Sequence, residues 1–329
     1  MIVYDNSNEV PYNKKRSISV GKFDGLHLGH QQLIKKMLKT PDTANTVNTG
    51  AESLFIIINN SSSKTTPNLT TRYERINLLE RFGISGVLFL DIEEEVFTVW
   101  GNASVVIKNF SPEEFIKFLQ STIGFAKYFA GENHTFGRKK AGTINTLKSI
   151  SAQLKSTSLQ NFDLSFETTI VSPEIYNDKI VSTSLIKTLI KKENIEIINQ
   201  YLGYNYFFIG EVVKGRQIGA TLGFPTANIT VSSNKIIPKK GVYLSEVRIK
   251  GCSFYGVTNI GTRPTIENNN TANKVFIESH ILNFNEIIYG RTIELHLLKY
   301  IRDEIRFDSL SQLKTQITED IAYCSSLIE

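Results

Sequence analysis

The feature that most restricts how this 329-residue chain can fold is a change of rhythm near its middle. Through the first half, short apolar runs alternate with helical periods: residues 17–20, 31–38, 54–58, 72–81, 86–90, then 112–119 behind Ser111, then 127–130. Short buried strands separated by helices favour a parallel sheet with the helices as crossovers. From residue 207 the helices vanish. Strand-like runs at 208–213, 242–249, 254–259, 275–281 and 292–298 follow one another, and one amphipathic stretch, 309–327, closes the chain. Strands clustered without crossovers suggest an antiparallel barrel. The expectation is an α/β chain: a doubly wound domain over 1–186, a linking helical region over 187–206, and a barrel with a C-terminal helix over 207–329. One helix is expected over 184–202, ended by Gly203.

The length suits about two domains of ~100–200 residues. With 37 basic and 32 acidic residues the net charge is +5, and the basic residues are dispersed rather than gathered into a stripe with interleaved aromatics. That pattern argues against a nucleic-acid partner. Two cysteines, Cys252 and Cys324, are too few for a disulfide framework and point to a reducing cytoplasm. Residues 1–6 lack a basic head followed by an apolar core, and apolar runs such as 54–58 are strand-sized, so neither export nor membrane insertion is expected. The oligomeric state is not encoded legibly.

Two stretches carry chemistry. The first is Gly21-Lys22-Phe23-Asp24-Gly25-Leu26-His27-Leu28-Gly29-His30, set between a strand and its helix. In parallel sheets ligands bind at the carboxyl ends of strands, which is where this turn falls. Two of the five histidines lie here, three residues apart at a helix start whose free amides attract anions. A lone His-x-x-His reads as incidental or as a metal pair. Framed by glycines behind a strand, it reads as a site for the phosphates of a nucleotide.

The second stretch, Thr221-Leu222-Gly223-Phe224-Pro225-Thr226-Ala227-Asn228, reads as a phosphate and metal grip. Extended backbone puts Thr226 and Asn228 on one face. Upstream, Gly215 and Gly219 supply an approach that exposes amides to an anion. A bare Pro-Thr-x-Asn also suits a β-turn with a polar cap; a second, unrelated phosphate motif in the same chain favours the grip.

Together the two motifs resemble the bifunctional riboflavin kinase/FMN adenylyltransferase family, the bacterial FAD synthetases. The likeness continues through 222–228, 241–243, 256–265, 289–290 and 301–307. It implies a Rossmann-like nucleotidyltransferase domain followed by a six-stranded split-barrel riboflavin kinase domain. It also implies two ATP-dependent, Mg²⁺-assisted reactions: riboflavin to FMN in the second domain, and FMN to FAD with release of pyrophosphate in the first.

In the first domain the resemblance makes His27 and His30 the phosphate-binding catalytic pair, with Gly21, Phe23, Asp24, Gly25 and Gly29 around the nucleotide. It adds Asn133, Arg138 at the head of a basic loop, and Ser182, Thr183, Ser184 and Lys187 for the triphosphate. A threonine at 70–71 caps the helix over 72–81, whose Glu74 and Arg75 read as surface charges. In the second domain Glu278 becomes the catalytic carboxylate, sharing a strand face with His280. Thr226 and Asn228 hold metal and phosphate beside Gly215, Gly219 and Gly223, and Arg302 and Glu304 meet the flavin.

Four positions depart from the family pattern. Asn59 opens a polar run, 59–63, where an acidic segment is usual. His134 replaces an aromatic residue, Lys187 replaces an arginine, and Ala220 replaces an arginine that Lys214 or Arg216 could substitute. Two alternatives stay open: a riboflavin kinase with an inactive first domain, and a flavin-binding regulatory protein. The polar stretch 40–53 is expected to be a loop.

Overall fold

The computed structural model describes residues 1–39, 52–59, 66–99, 103–156, 164–215, 217–264 and 273–328. Most of the expected loop at 40–53, residues 60–63 of the polar run, Arg216 and Thr265 lie outside the described residues. The chain divides into two compact units, Met1–Ser182 and Thr183–Glu329.

In the first unit the elements run β1 (Ile2–Tyr4), β2 (Ser17–Gly21), α1 (Leu28–Lys39), β3 (Ser53–Asn59), α2 (Arg72–Arg81) and β4 (Gly86–Asp91). A small hairpin follows, β5 (Val96–Val99) with β6 (Ala103–Val106), then α3 (Pro112–Thr122), β7 (Lys127–Gly131), α4 (Ile144–Ser156) and β8 (Glu167–Val171). A two-residue ladder, β9 (Ile175–Tyr176) with β10 (Lys179–Ile180), ends the unit. Six strands form one sheet in the order β1-β4-β3-β2-β7-β8, every pair parallel. The chain builds outward from β2 on one side through β3 and β4, then returns to its other side with β7. The order therefore reverses beside β2, and the carboxyl end of β2 is the switch point at which such sheets bind ligands.

Local chemistry explains the helix starts. Ser111 and Thr71 each close a capping box, with Glu114 and Glu74 reaching back to the cap amide. In α4, Leu147 and Ile150 bury against the sheet with Ile144 and Leu154 alongside, a helical spacing that the reading of the sequence passed over.

The second unit begins with α5 (Thr183–Leu189) and α6 (Ile195–Leu202). The single helix expected over 184–202 is thus two. The carbonyl of Ile190 accepts from Lys239 N at 3.2 Å instead of continuing the helical ladder, and α6 starts anew after Asn194, whose backbone is extended. Gly203 ends α6 in the left-handed region, as its type suggests. The region read as a linker therefore belongs with the barrel. Asn199 Nδ2 donates to Leu297 O, and Glu196 accepts from Tyr300 N.

Next come β11 (Phe207–Val213), the short turn α7 (Ile218–Thr221), β12 (Ala227–Ile229), β13 (Gly241–Ile249), β14 (Cys252–Pro264), β15 (Asn273–Ile281), β16 (Thr292–Arg302) and α8 (Leu310–Ser326), capped by Ser309. The six strands close a barrel in the order β11-β12-β15-β14-β13-β16, all antiparallel. The sixth strand is the extended segment that carries Ala227 and Asn228. Among the described residues no helix is long and apolar enough to cross a membrane.

Candidate active sites

The turn after β2 is strained, and it is braced from α2. Phe23, Gly25 and Leu26 all have positive φ, of 46°, 84° and 37°; glycine meets this freely, whereas Phe23 and Leu26 must be held. They are held by burial and by a polar clasp. Asp24 Oδ1 accepts from Thr70 N at 3.0 Å and Thr70 Oγ1 at 3.2 Å, and Thr70 Oγ1 accepts from Gly25 N at 3.0 Å. Arg75 Nη1 donates to Lys22 O and Nη2 to Thr70 O. Glu74 and Arg75, read from sequence as surface charges, are both buried. Glu74 is taken up by its capping box with Thr71, and the role of Arg75 was invisible in the sequence because its partners are backbone carbonyls about five and fifty residues away.

On this braced turn His27 and His30 stack, ring centroids 3.8 Å apart and 23° from parallel, with Phe23 edge-on to His30. Each keeps its Nδ1 out of solvent with no protein hydrogen-bond partner. Burial pushes the His27 imidazole down to about 4 despite an opposing pull from Asp24. Burial, with His27 beside it, drives His30 well below its ordinary value. Both rings are neutral at pH 7 and so offer an N–H donor without a full charge.

Gly21 ends β2, and Gly29 sits in the first turn of α1 against the His27 ring, where a Cβ would lie 3.3 Å from it. The neighbouring strand β7 delivers the second loop at the same sheet edge. There Asn133 is exposed, Arg138 heads an exposed basic turn, and His134 accepts or donates a 2.9 Å bond with the buried Tyr128 hydroxyl while lying parallel to Phe136. Burial lowers His134 to about 4, which leaves it a neutral flat ring like the aromatic residue it replaces. Asn59 ends β3 opposite Asp91, whose Oδ1 is occupied by the amides of Glu93 and Glu94. Ser182 closes the first unit, whereas Thr183, Ser184 and Lys187 fall in the second, on α5.

In the barrel, strand register assembles the site. Asn228 on β12 pairs with Glu278 on β15, Glu278 with Asn259 on β14, Asn259 with Val242 on β13, and Val242 with Arg302 on β16. Residues in register point to the same side, so one row across five strands carries a carboxylate between two amides and ends in a guanidinium. Asn259 lies inside the 256–265 stretch of family likeness with no role of its own expected, yet its Oδ1 is buried and has no hydrogen-bond partner. Alternation with Val257 on the same strand face is the signal that could have found it.

A cavity of about 240 Å³ opens over this row, lined by Thr226, Glu278, Asn259, Arg302 and Glu304, with Val242, Val257, Phe307, Leu313 and Ile317 as its apolar walls. A second, of about 220 Å³, also touches Thr226 and is walled by Pro225, Ile281, Phe284, Ile288 and Tyr289. His280 Nδ1 meets Pro225 O at 2.8 Å, fixing the turn that aims Thr226.

The glycines of the grip are there for space. A Cβ on Gly215 would meet the Asn228 amide at 2.2 Å, and one on Gly219 would meet Phe224 O at 2.4 Å. Gly223, with φ of 95°, makes the turn itself. Among the described residues no group of three or more His, Cys, Asp or Glu could hold a metal by itself.

Comparison with known proteins finds a family match for each half of the chain. Residues 9–184 match the FAD synthetase family model and residues 202–328 the riboflavin kinase model. A bifunctional riboflavin kinase/FMN adenylyltransferase of Buchnera aphidicola (Schizaphis graminum subspecies) is 31% identical over 317 residues, covering 94% of this chain and 93% of its own. This chain belongs to the bifunctional riboflavin kinase/FMN adenylyltransferase family. The Bacillus subtilis member of that family is 30% identical over 321 residues, covering 95% of this chain and 94% of its own. A crystal structure from Streptococcus pneumoniae, described as a macrolide-efflux protein, superposes with a TM-score of 0.79 over 98% of both chains at 24% identity, and so shares the fold.

Proposed function

We propose that this chain converts riboflavin to FMN in its barrel and FMN to FAD on its parallel sheet, using ATP in both. The observation that carries the kinase half is Glu278 set between Asn228 and Asn259 on adjacent strands, beneath a cavity that meets a second one at Thr226. A flat apolar acceptor fits the first cavity, whose walls are aliphatic and aromatic with Arg302 and Glu304 at the rim. The nucleotide fits the second, with its phosphates running toward Thr226 and the amides near Gly215 and Gly219.

Glu278 then accepts the proton of the riboflavin 5′-hydroxyl, or orients it, as its oxygen attacks the γ-phosphorus and ADP leaves. Thr226 and Asn228 offer a hydroxyl and an amide oxygen, the hard donors Mg²⁺ takes, and with no carboxylate cage among the described residues the remaining ligands would be phosphate oxygens and water. When bound, the ion neutralises charge on the transferring phosphoryl group.

On the sheet, an FMN phosphate oxygen attacks the α-phosphorus of ATP and pyrophosphate departs. His27 and His30 supply neutral N–H donors to the phosphates, and the first turn of α1 adds its amides. The buried clasp of Asp24, Thr70 and Arg75 keeps those donors aimed.

Incubating the purified chain with riboflavin, ATP and Mg²⁺ and separating the flavins over time tests both halves. FMN first and FAD later is the expected course. FMN without FAD would overturn the adenylyltransferase reading and attach weight to Asn59 and Lys187; no phosphorylated product would overturn the whole proposal in favour of a binding protein.

A further inference from the structure

Arg302 ends β16 in the acceptor cavity, yet most of its hydrogen bonding is already committed. Nε and Nη2 donate to the two carboxylate oxygens of Asp320 at 2.8 and 2.6 Å, and Nη1 donates to Asp303 O at 2.9 Å. A guanidinium has five N–H groups, so two remain, one on each terminal nitrogen. Asp320 projects from α8, is 5% exposed, and is itself steadied by Gln316 Nε2 at 3.2 Å. It lines the same cavity as Glu278 and Glu304.

We propose that Asp320 is a positioning residue of the kinase reaction: its bidentate grip fixes the plane of Arg302 so that the two uncommitted N–H groups serve the flavin. The proposal rests on the reading of the barrel as a riboflavin kinase. A fork-to-fork pair defines both the plane and the rotation of the guanidinium, which a single hydrogen bond does not. The fixing matters because two other carboxylates, Glu278 and Glu304, face the same space. A guanidinium released from Asp320 has competing anions to fall upon, one of them the proposed catalytic group. Held as it is, Arg302 presents a pair whose charges offset, suited to an uncharged acceptor that needs oriented donors. The same grip joins α8 to β16, so the apolar wall formed by Leu313 and Ile317 is set by the residues that aim Arg302.

The test compares four forms, wild type, Asp320→Asn, Arg302→Gln and the double variant, in steady-state FMN formation with riboflavin and ATP varied separately. Asp320→Asn is expected to raise the KM for riboflavin about tenfold, the loss when a charge-assisted hydrogen bond is misaimed, with the KM for ATP within about twofold of wild type. In the Arg302→Gln background the same change should add less than about twofold, because its route is gone. Equal effects of Asp320→Asn with and without Arg302, or parallel rises in both KM values, would show the pair to be only a staple between α8 and β16 and would overturn the proposal. If Asp320→Asn does not fold, Asp320→Glu carries the test. It keeps the charge but displaces the guanidinium, and an unchanged KM for riboflavin refutes positioning. Failure of the wild type to make FMN would instead strike the kinase reading itself.

Discussion

Lowering the pH from 7 to 5 should destabilise the first unit, and His27 alone sets a scale of about 2 kcal/mol for the effect. Its buried imidazole is pushed to about 4, while the unfolded chain restores the ordinary 6.5. Between those values the unfolded state binds a proton that the folded state refuses. Stability therefore rises with pH across this window and is lost as pH falls through it. At pH 5 the unfolded ring is nearly fully protonated, and the gap from 6.5, at about 1.4 kcal/mol per tenfold, gives the figure above. His30 and His134 act in the same direction, both lowered by burial. Urea unfolding of wild type and His27→Gln at both pH values isolates the contribution. Glutamine keeps a polar side chain but does not titrate, so the variant should lose about 2 kcal/mol less on acidification. Identical losses in the two proteins would refute the argument that burial of His27 costs its charged form.

Three further outcomes follow from the geometry. Glu278→Gln should slow FMN formation by roughly 10²–10⁴-fold, while FAD formation from added FMN continues; flavin chromatography with each substrate reads both. Gly219→Ala puts a methyl 2.4 Å from Phe224 O, so the grip must shift, and the KM for ATP in FMN formation should rise about tenfold or more. Arg75→Met removes two donors from the buried clasp, at about 1–3 kcal/mol for each carbonyl left without one. FAD formation should fall at least tenfold and FMN formation persist, as the two rates measured on one preparation would show.

The architecture was legible because hydrophobic rhythm differs between crossover-linked and hairpin-linked strands, and both halves of this chain keep their rhythm cleanly. Motif spacing placed His27 and His30 on one turn, and Thr226 immediately before the strand that carries Asn228. Short elements escaped: β1, β5 and β6 have three or four residues each, too few for a period to show. The break after α5 escaped as well, since Ile190 leaves the helix to serve Lys239, a partner about fifty residues away. Asn259, Asp320 and the buried state of Arg75 were hidden for the same reason. Asn259 acquires its meaning from strand register, Asp320 from an ion pair and Arg75 from a carbonyl about fifty residues away, none of which a local window contains.

The barrel closes through its shortest stave. β12 pairs at two positions with β11 and at two with β15, whereas β13 and β14 match over nine. The wall is thinnest where it carries Asn228, and with the nucleotide site proposed above, a bound phosphate there would complete a seam that the backbone leaves under-stitched. Amide hydrogens at 227–229 should exchange with solvent readily in the empty protein and slowly once ATP is bound. Local firmness of the barrel then scales with ligand concentration over its dissociation constant.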